Sequence, residues 1–297
     1  MAEIKLFRLN STVEELKPSE VALERNLQTC IEKNMQAFFG VRFLQSEYPI
    51  TNGRMDSIGI DENNCPVIFE YKRSVNENVI NQGLFYLSWL LDHKDSFKIL
   101  VLETLGVEAA QAIDWSAPCV ICIASDFTKY DLHAVDVMQR NIKLVKYKKY
   151  NDGLILFEHL NAPNVQPTGV DVPPTPEPDG HGPRTHVEKI ASSSPKMRAL
   201  YDDVCNFIES LGDMTSNQLK LYLAYKKTQN FVCIEIYKDK LILDLKLCPD
   251  IVEMEEGFTR DMRGVGHYGT GDLQVTIQNS KQFEKAKPLL ERAYSEA

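Results

Sequence analysis

The sequence predicts an α/β protein with a second, smaller α+β domain, and three observations support this. A helical pattern precedes three strand-like segments, after which helices and strands alternate as far as residue 160. Residues 161–183 then hold seven of the chain's fourteen prolines, a composition typical of an extended, solvated linker. The remaining residues carry a run of strands between two helices. The predicted division is therefore a first domain at 1–160, a linker at 161–195 and a second domain at 196–297.

Each element of the first domain follows from its residue pattern. Hydrophobic residues recur at helical spacing over 19–39, with Ser19 suited to cap this helix and Gly40 to end it. Residues 97–105 fit a helix, although 99–102 alone would also suit a strand. The predicted order is a short strand or arm at 4–9, a helix at 19–39, strands at 41–48, 53–60 and 67–73, helices at 77–91 and 97–105, a buried strand at 119–124, a helix at 127–138, and closing strands at 142–147 and 154–157.

The second domain shows a helix, several strands and a final helix. The strands are rich in β-branched and aromatic residues, and the turn at 238–239 joins two of them. The Gly-rich stretch 264–271 leads into a strand instead of a helix, so a turn is favoured there over an anion-binding loop. The predicted order is a helix at 196–211, strands at 219–227, 231–237, 241–247 and 272–278, and a helix at 280–294.

The central feature of the sequence is the predicted hairpin formed by 53–60 and 67–73. If its turn is centred on Asn63, Asp56 lies opposite Glu70, and Arg54 lies opposite Lys72. Side chains alternate faces along a strand, so these four would share one face. A slip of one residue would move Asp56 to the other face.

Two carboxylates directly opposite each other repel, and folding alone does not favour that arrangement. A divalent cation between them reverses the sign of the interaction. Mg²⁺ suits two carboxylates together with waters and phosphate oxygens, and a neighbouring lysine can position the attacking water. On spacing alone, an ordinary surface hairpin with solvated charges explains the pattern equally well.

A family resemblance favours the metal site. Asp56 followed after thirteen residues by Glu70-Tyr71-Lys72 resembles the PD-(D/E)XK nuclease signature, with Met55 in place of the proline. More narrowly, Gly-Arg-Met-Asp followed by Glu-Tyr-Lys-Arg resembles the catalytic domain of NucS-like endonucleases. The stretch from Gln82 to Tyr86 is similar to the Gln-x-x-x-Tyr helix of RecB-type members. The resemblance covers roughly residues 15 to 160.

The resemblance implies a restriction-endonuclease-like αβββαβ core that cleaves DNA with Mg²⁺ or Mn²⁺, in DNA repair or defence. The implied catalytic residues are Asp56, Glu70, Lys72, Gln82 and Glu24. The implied metal ligands are Asp56, Glu70 and the carbonyl of Tyr71, and the implied DNA-binding residues are Arg54, Arg73 and Tyr86. Gln82 and Tyr86 are equally compatible with ordinary packing of a half-buried helix, and Glu24 with a glutamate at a helix boundary. Residues 196–297 resemble a small uncharacterised domain family sometimes labelled a predicted transport protein, but no transport machinery is visible.

The composition indicates the cellular compartment of the protein. No apolar run approaches the length that spans a bilayer, and the N-terminus lacks the pattern of a secretory signal. Seven cysteines without scaffold spacing suit reduced thiols, so we expect a cytoplasmic protein that does not associate with a membrane. Cys119 and Cys122 form a CxxC motif inside a continuous apolar run, which indicates core thiols more than a zinc site.

The net charge of −9 opposes a general attraction to nucleic acid, so any contact with DNA must come from local basic clusters. One such cluster surrounds the hairpin. A second comprises Lys143, Lys146, Lys148 and Lys149, although a solvated strand edge explains it as well.

Three functions follow. The first is a Mg²⁺-dependent DNA endonuclease acting through Asp56, Glu70 and Lys72. The second is a non-catalytic nucleic-acid-binding or adaptor protein that retains the fold, which the acidic charge favours. The third places the activity in the second domain as a ligand- or partner-binding module, with His267, Tyr268 and the run 222–227 as its features. A homodimer stays an open alternative to a monomer.

Overall fold

A computed structural model of the chain describes residues 4–9, 13–19, 24–72, 79–138, 140–161 and 184–297. These residues form a mixed α/β structure with sheets of two, seven and six strands, which confirms the predicted α/β class. The elements before residue 162 are β1 (Leu6–Leu9), β2 (Val13–Leu16), β3 (Pro18–Ser19), α1 (Glu24–Lys33), α2 (Met35–Phe39), β4 (Val41–Ile50), β5 (Gly53–Asp61), β6 (Pro66–Lys72), α3 (Val79–Asp92), α4 (Lys94–Leu105), α5 (Val107–Gln111), β7 (Cys119–Ala124), α6 (Lys129–Met138), β8 (Ile142–Tyr150) and β9 (Ile155–His159).

The seven-stranded sheet organises this first part of the chain. Its strand order is β3-β8-β7-β6-β5-β4, with β9 also paired to β8. The central strands β6, β7 and β8 run parallel, whereas β4, β5 and β6 pair antiparallel. Parallel strands are usually covered on both faces, and β7 is buried along its whole length.

Helices cover both faces of this sheet. On one face α3 contacts β6 and β7, and a hydrophobic cluster there includes Ile58, Ile68 and Leu87. On the other face α1 contacts β4, β5 and β6, and a second cluster includes Ile31 and Phe69. Successive residues of β5 and β6 therefore point into two different cores.

The prediction of one continuous helix at 19–39 is wrong. Two shorter helices, α1 and α2, occupy this segment, and Asn34 separates them because its φ of −127° is not helical. Ser19 is not a helix cap, because it pairs with Lys149 in the sheet. Gly40 ends α2 with a left-handed φ of 66°, as predicted. The helix at 97–105 is confirmed as α4.

The second part of the chain forms its own sheet and core. Its elements are α7 (His186–Ser192), α8 (Pro195–Glu209), β10 (Thr215–Gln218), β11 (Leu223–Lys226), β12 (Asn230–Ile236), β13 (Leu241–Leu245), β14 (Thr259–Asp261), β15 (Leu273–Ile277) and α9 (Ser280–Glu296). The strand order is β10-β11-β12-β13-β15-β14, and every neighbouring pair is antiparallel. Helices α8 and α9 contribute to the hydrophobic core of this sheet.

Two strands of this sheet escaped the sequence analysis. Both β10 (Thr-Ser-Asn-Gln) and β14 (Thr-Arg-Asp) are polar and lie at the edges, where a hydrophobic pattern is not required. The predicted strand at 219–227 shortens to β11. Helix α7 lies inside the segment predicted as linker and contacts β12, whereas residues 162–183 lie outside the described part of the chain.

The two sheets meet at the turn that joins β5 and β6. Asn63, in that turn, accepts hydrogen bonds from Asn230 Nδ2 at 2.5 Å and from the Tyr222 hydroxyl at 3.1 Å. A small buried cluster beside it joins Cys65 of the first part to Cys233 of the second. The closed end of the hairpin is thus held by the second part of the chain.

Cys119 and Cys122 are both buried in β7 as free thiols, and burial raises the pKa of the Cys119 thiol to about 11. This agrees with the interpretation of the CxxC motif as core. Among the helices of the described ranges, none combines the length and apolar character needed to cross a bilayer.

Gly59 allows β4 and β5 to approach closely. A Cβ atom there would lie 2.6 Å from Val41 Cγ1 and 2.7 Å from the Arg42 carbonyl oxygen. We expect Gly59→Ala to lower the free energy of unfolding by about 1–3 kcal/mol, because a backbone oxygen cannot move aside as a flexible side chain can. Urea unfolding followed by circular dichroism measures the change. Gly266→Ala is the control, since no atom lies within 4 Å of a Cβ there; an equal effect of both substitutions would contradict the packing argument.

Candidate active site

The hairpin has the predicted register. Paired residues run from Ser57 opposite Phe69 to Ile60 opposite Pro66. Continuing this register by one residue places Asp56 opposite Glu70. The paired ladder ends at Ser57 and Phe69, so the two acids lie where the strands begin to separate.

Asp56 and Glu70 replace the backbone pairing at that point. The Asp56 backbone N–H donates to Glu70 Oε1 at 3.3 Å, and the Tyr71 backbone N–H donates to Asp56 Oδ2 at 2.9 Å. Each carboxyl group is therefore anchored to the opposite strand. The bonds hold two like-charged groups side by side at the open end of the hairpin.

The electrostatic cost of this arrangement falls on Glu70. Its side chain is fully buried, and its Oε2 atom has no hydrogen-bond partner among the described residues. Burial, and then the negative charge of Asp56, raises the pKa of Glu70 to about 9. Burial also raises the pKa of Asp56, against the opposing effects of the Tyr71 N–H and the Lys72 ammonium. Without a cation, the pair holds a proton at neutral pH.

Lys72 and Tyr71 take different positions at the end of β6. Lys72 is half-buried, and its positive charge favours ionisation of both Asp56 and Glu70. The Tyr71 side chain turns to the opposite face, where its hydroxyl donates to Ser57 Oγ at 3.1 Å. Tyr71 therefore serves the site through its backbone, and its predicted contribution as a metal ligand is the carbonyl oxygen alone.

Gln82 and Tyr86 form the pair predicted from their spacing. Gln82 Nε2 donates to the Tyr86 hydroxyl at 2.7 Å. Tyr86 is buried, and a Cβ on Gly53 would come within 3.1 Å of its ring. The hydrogen bond lies within α3, and the Tyr86 ring packs beside Gly53 at the start of β5. Within the described residues neither side chain hydrogen-bonds to Asp56 or Glu70.

Of the two arginines predicted to bind DNA, the structure describes Arg54 but not Arg73. Arg54 is exposed and forms an ion pair with Glu47, with 2.5 Å between Nε and Oε2. Arg73 lies outside the described residues. The predicted lysine cluster on β8 does not form one surface, because Lys143 is buried and Lys146 pairs with Asp126 at 2.7 Å.

Two residues of α1, Gln28 and Glu32, contact the site and were not predicted from the sequence. Glu24 begins that helix, but its side chain lies outside the described part of the structure. Gln28 Nε2 donates to the Asp56 carbonyl oxygen at 2.9 Å, and Glu32 accepts a hydrogen bond from Ser57 Oγ at 2.6 Å. Gln28 and Glu32 follow Glu24 at four-residue intervals on one helix face, which is the signal that could have identified them.

Asp56 and Glu70 fit a divalent cation that keeps most of its other ligands from outside the protein. Across the described ranges, no group of three or more His, Cys, Asp and Glu side chains could hold a metal. Mg²⁺ commonly uses one or two carboxylates, with waters and substrate phosphate oxygens completing its shell. The unpaired Oε2 of Glu70 beside a second carboxyl group is suited to such an ion.

The second part of the chain is similar to one known family. Residues 187–297 match the family described as Domain of unknown function (DUF5655). An uncharacterised protein of Haemophilus influenzae is 27% identical over 290 residues, covering 94% of this chain and 95% of that protein.

Three solved structures show low similarity. A repair endonuclease from Pyrococcus abyssi is 13% identical, with a TM-score of 0.29 over 48% of this chain and 65% of that one. The structure of an EndoMS–dsDNA2 complex is 16% identical, with a TM-score of 0.26 over 48% of this chain and 64% of that one. SfsA of Pyrococcus furiosus in complex with Ca²⁺ is 12% identical, with a TM-score of 0.25 over 50% of this chain and 75% of that one. This chain spans slightly less than two thirds of the first two structures.

The raised pKa of Glu70 predicts a specific pH dependence of stability. The folded state of the metal-free protein holds a proton on Glu70 up to about pH 9, whereas the unfolded chain releases it near its ordinary value of 4.5. The contribution of Glu70 is therefore fully present below about pH 4.5 and is lost as the pH rises towards 9, by up to about 1.4 kcal/mol per pH unit.

Glu70→Gln removes this titration, so we expect its free energy of unfolding to fall less steeply than that of the wild type between about pH 6 and 8. Urea unfolding in the presence of a chelator measures both slopes. Exposed Glu103→Gln should follow the wild type. Parallel slopes for the wild type and Glu70→Gln would contradict the placement of the proton.

Proposed function

We propose that the chain is a metal-dependent endonuclease of the PD-(D/E)XK class that hydrolyses phosphodiester bonds in DNA, with a restriction-endonuclease-like αβββαβ core. The observation that carries the proposal is the Asp56–Glu70 pair at the separating end of the hairpin, beside the charge of Lys72. The choice of DNA, and of a role in repair or defence, rests on the resemblance of the sequence motifs.

Asp56 and Glu70, with the Tyr71 carbonyl as a third ligand, would hold Mg²⁺ or Mn²⁺. When bound, such an ion polarises a phosphate oxygen and lowers the pKa of a water molecule in its shell. Glu70 has to give up its proton before it can serve as a ligand, so metal loading should release a proton.

The remaining roles belong to side chains around this pair. The Lys72 ammonium would orient the attacking water and offset the negative charge that grows on the phosphate as the P–O bond breaks. The Tyr71 N–H holds the Asp56 carboxylate in one orientation, and Gln28 fixes the Asp56 backbone from α1. Arg54, Arg73 and Gln82 are the proposed contacts to the DNA backbone, with the buried Tyr86 holding Gln82 in place. Glu24 is the proposed acidic residue of the outer shell.

We also propose that the chain consists of two domains joined by a linker. A nuclease-like domain at 1–160 precedes a proline-rich linker and a second domain at 196–297, which α7 extends towards the N-terminus. We propose the cytoplasm as the compartment, because all seven cysteines are free thiols.

The net charge of −9 favours a second candidate, a nucleic-acid-binding or adaptor protein without turnover. Such a protein would bind DNA equally well with or without a divalent cation, and substitution of Asp56 would leave its function unchanged.

We expect Asp56→Asn and Lys72→Met each to lower Mg²⁺-dependent cleavage of DNA by at least about 10²-fold, because the first removes a proposed metal ligand and the second the charge proposed to act on the phosphate. Cleavage of a labelled DNA mixture, with circular dichroism to check folding, measures the effect. Exposed Glu103→Gln and Lys98→Met on α4 are the charge-matched controls. Cleavage by either site variant at the wild-type rate would refute the endonuclease, and DNA binding without cleavage by the wild type would favour the second candidate.

A further inference from the structure

The two parts of the chain enclose a cleft beside β8 and β9. Its residues Lys143 and His159 lie on the face of the large sheet that carries Phe69 and Val145, whereas Glu70 lies on the other face. Its volume is about 620 Å³, within the range of small-molecule sites. Lys143 and His159 line it from the first part, and Thr215, Lys226 and Thr228 from the second. It adjoins a smaller pocket beside Val67, near the start of β6, whereas Glu70 and Lys72 lie at the other end of that strand.

Lys143 is the unusual residue of this cleft. Its side chain on β8 is only 9% exposed, and within the described residues it forms no ion pair or hydrogen bond. Burial lowers the pKa of its ammonium group, and the nearby charge of Lys226 lowers it further. The Lys143 Nζ atom is not among the fully enclosed polar atoms, so the ammonium group keeps an open side towards the cleft, where an anion can approach it.

The nearby acids are engaged elsewhere. Asp61 Oδ1 accepts from the backbone N–H groups of Asn63 and Cys65, both at 2.9 Å. Glu62 Oε1 lies 3.2 Å from Lys226 Nζ and accepts from the Asn230 N–H. Both acids favour the charged form of Lys143 at a distance, but neither contacts it.

The far side of the cleft carries two more acids, which limits where an anion can sit. Glu209 accepts a hydrogen bond from the Tyr225 hydroxyl at 2.9 Å, and Asp213 lies near it in sequence after α8. An anionic group is therefore favoured at the Lys143 side, and the neutral part of a ligand at the α8 side.

The field near Lys143 is positive. Partial loss of solvent around its ring, followed by the charges of Lys143 and Lys226, lowers the pKa of His159, although the residue as a whole keeps an exposed surface. The lowered pKa favours the neutral imidazole. Lys227 also lines the cleft, with its Nζ donating to the Tyr294 carbonyl oxygen at 3.2 Å. Neutral imidazole and the Thr228 hydroxyl add uncharged donors, which is the mixture that binds phosphate oxygens.

We propose that this cleft binds a small phosphorylated molecule of about mononucleotide size, with its phosphate against the Lys143 ammonium. Both parts of the chain line the cleft, so the bound molecule would bridge them. The site is separate from the acidic pair, and the proposal does not depend on nuclease activity.

The test is isothermal titration of the full chain, in phosphate-free buffer, with pyrophosphate and with adenosine mono- and diphosphate. We expect saturable binding of at least one of them, weakened about tenfold or more in Lys143→Met and retained in Lys143→Arg. Lys148→Met, on the same strand but outside the cleft, and Asp56→Asn at the acidic pair should bind as the wild type does. No binding of any probe by the wild type, or equal binding by Lys143→Met, would overturn the proposal.

A second measurement avoids the risk that Lys143→Met fails to fold. In the wild type, reductive ¹³C-methylation gives an NMR signal for each methylated lysine. The signal that is absent from the spectrum of Lys143→Arg belongs to Lys143. Addition of the bound probe should shift the Lys143 signal and leave that of Lys148 in place. A shift at Lys148 without one at Lys143, or a response to duplex DNA but to none of the small probes, would count against this site.

Discussion

The repulsion between the carboxyl groups of Asp56 and Glu70 is the constraint on which the rest of the site depends. Backbone N–H groups of the opposite strands hold the two acids together, although burial and mutual repulsion raise the pKa of Glu70 to about 9. Protein interiors rarely retain such a pair without a proton or a cation between its members. At the open end of the hairpin the fold tolerates this cost, and it places Lys72 and the polar side chains of α1 around the pair.

The same hairpin connects this site to the second part of the chain. Its closed end carries Asn63, which Asn230 and Tyr222 hold through hydrogen bonds, and its open end carries the acids. Beside the closed end lies the cleft that contains Lys143. The hairpin thus carries the acidic pair at its open end, and its closed end contacts the second part of the chain, which forms the cleft wall facing Lys143.

Much of the hairpin could be predicted from the sequence, because turn residues and alternation along the strands specify register locally. The positions of Asp56 and Glu70 followed from that register, and the Gln82–Tyr86 contact followed from helical spacing. Gln28 could not be ranked above Glu24, since helix periodicity gives a face but not the height at which that face meets the sheet. Lys143 was placed in a surface cluster because its burial depends on the second part of the chain, which contributes the cleft wall. The polar edge strands β10 and β14 lack any hydrophobic signal that a sequence could display.

The central claim is that the two acids share a cation, and anomalous diffraction tests it most directly. A crystal of the wild-type protein soaked in Mn²⁺ and measured near the manganese absorption edge would show where the ion binds. The account predicts one strong anomalous peak in contact with both the Asp56 and the Glu70 carboxylates, and its loss in Asp56→Asn. The opposite result would be electron density, at saturating Mn²⁺ and a pH near 8, in which the two carboxyl groups are hydrogen-bonded to each other and no anomalous peak lies between them. That result would contradict the account.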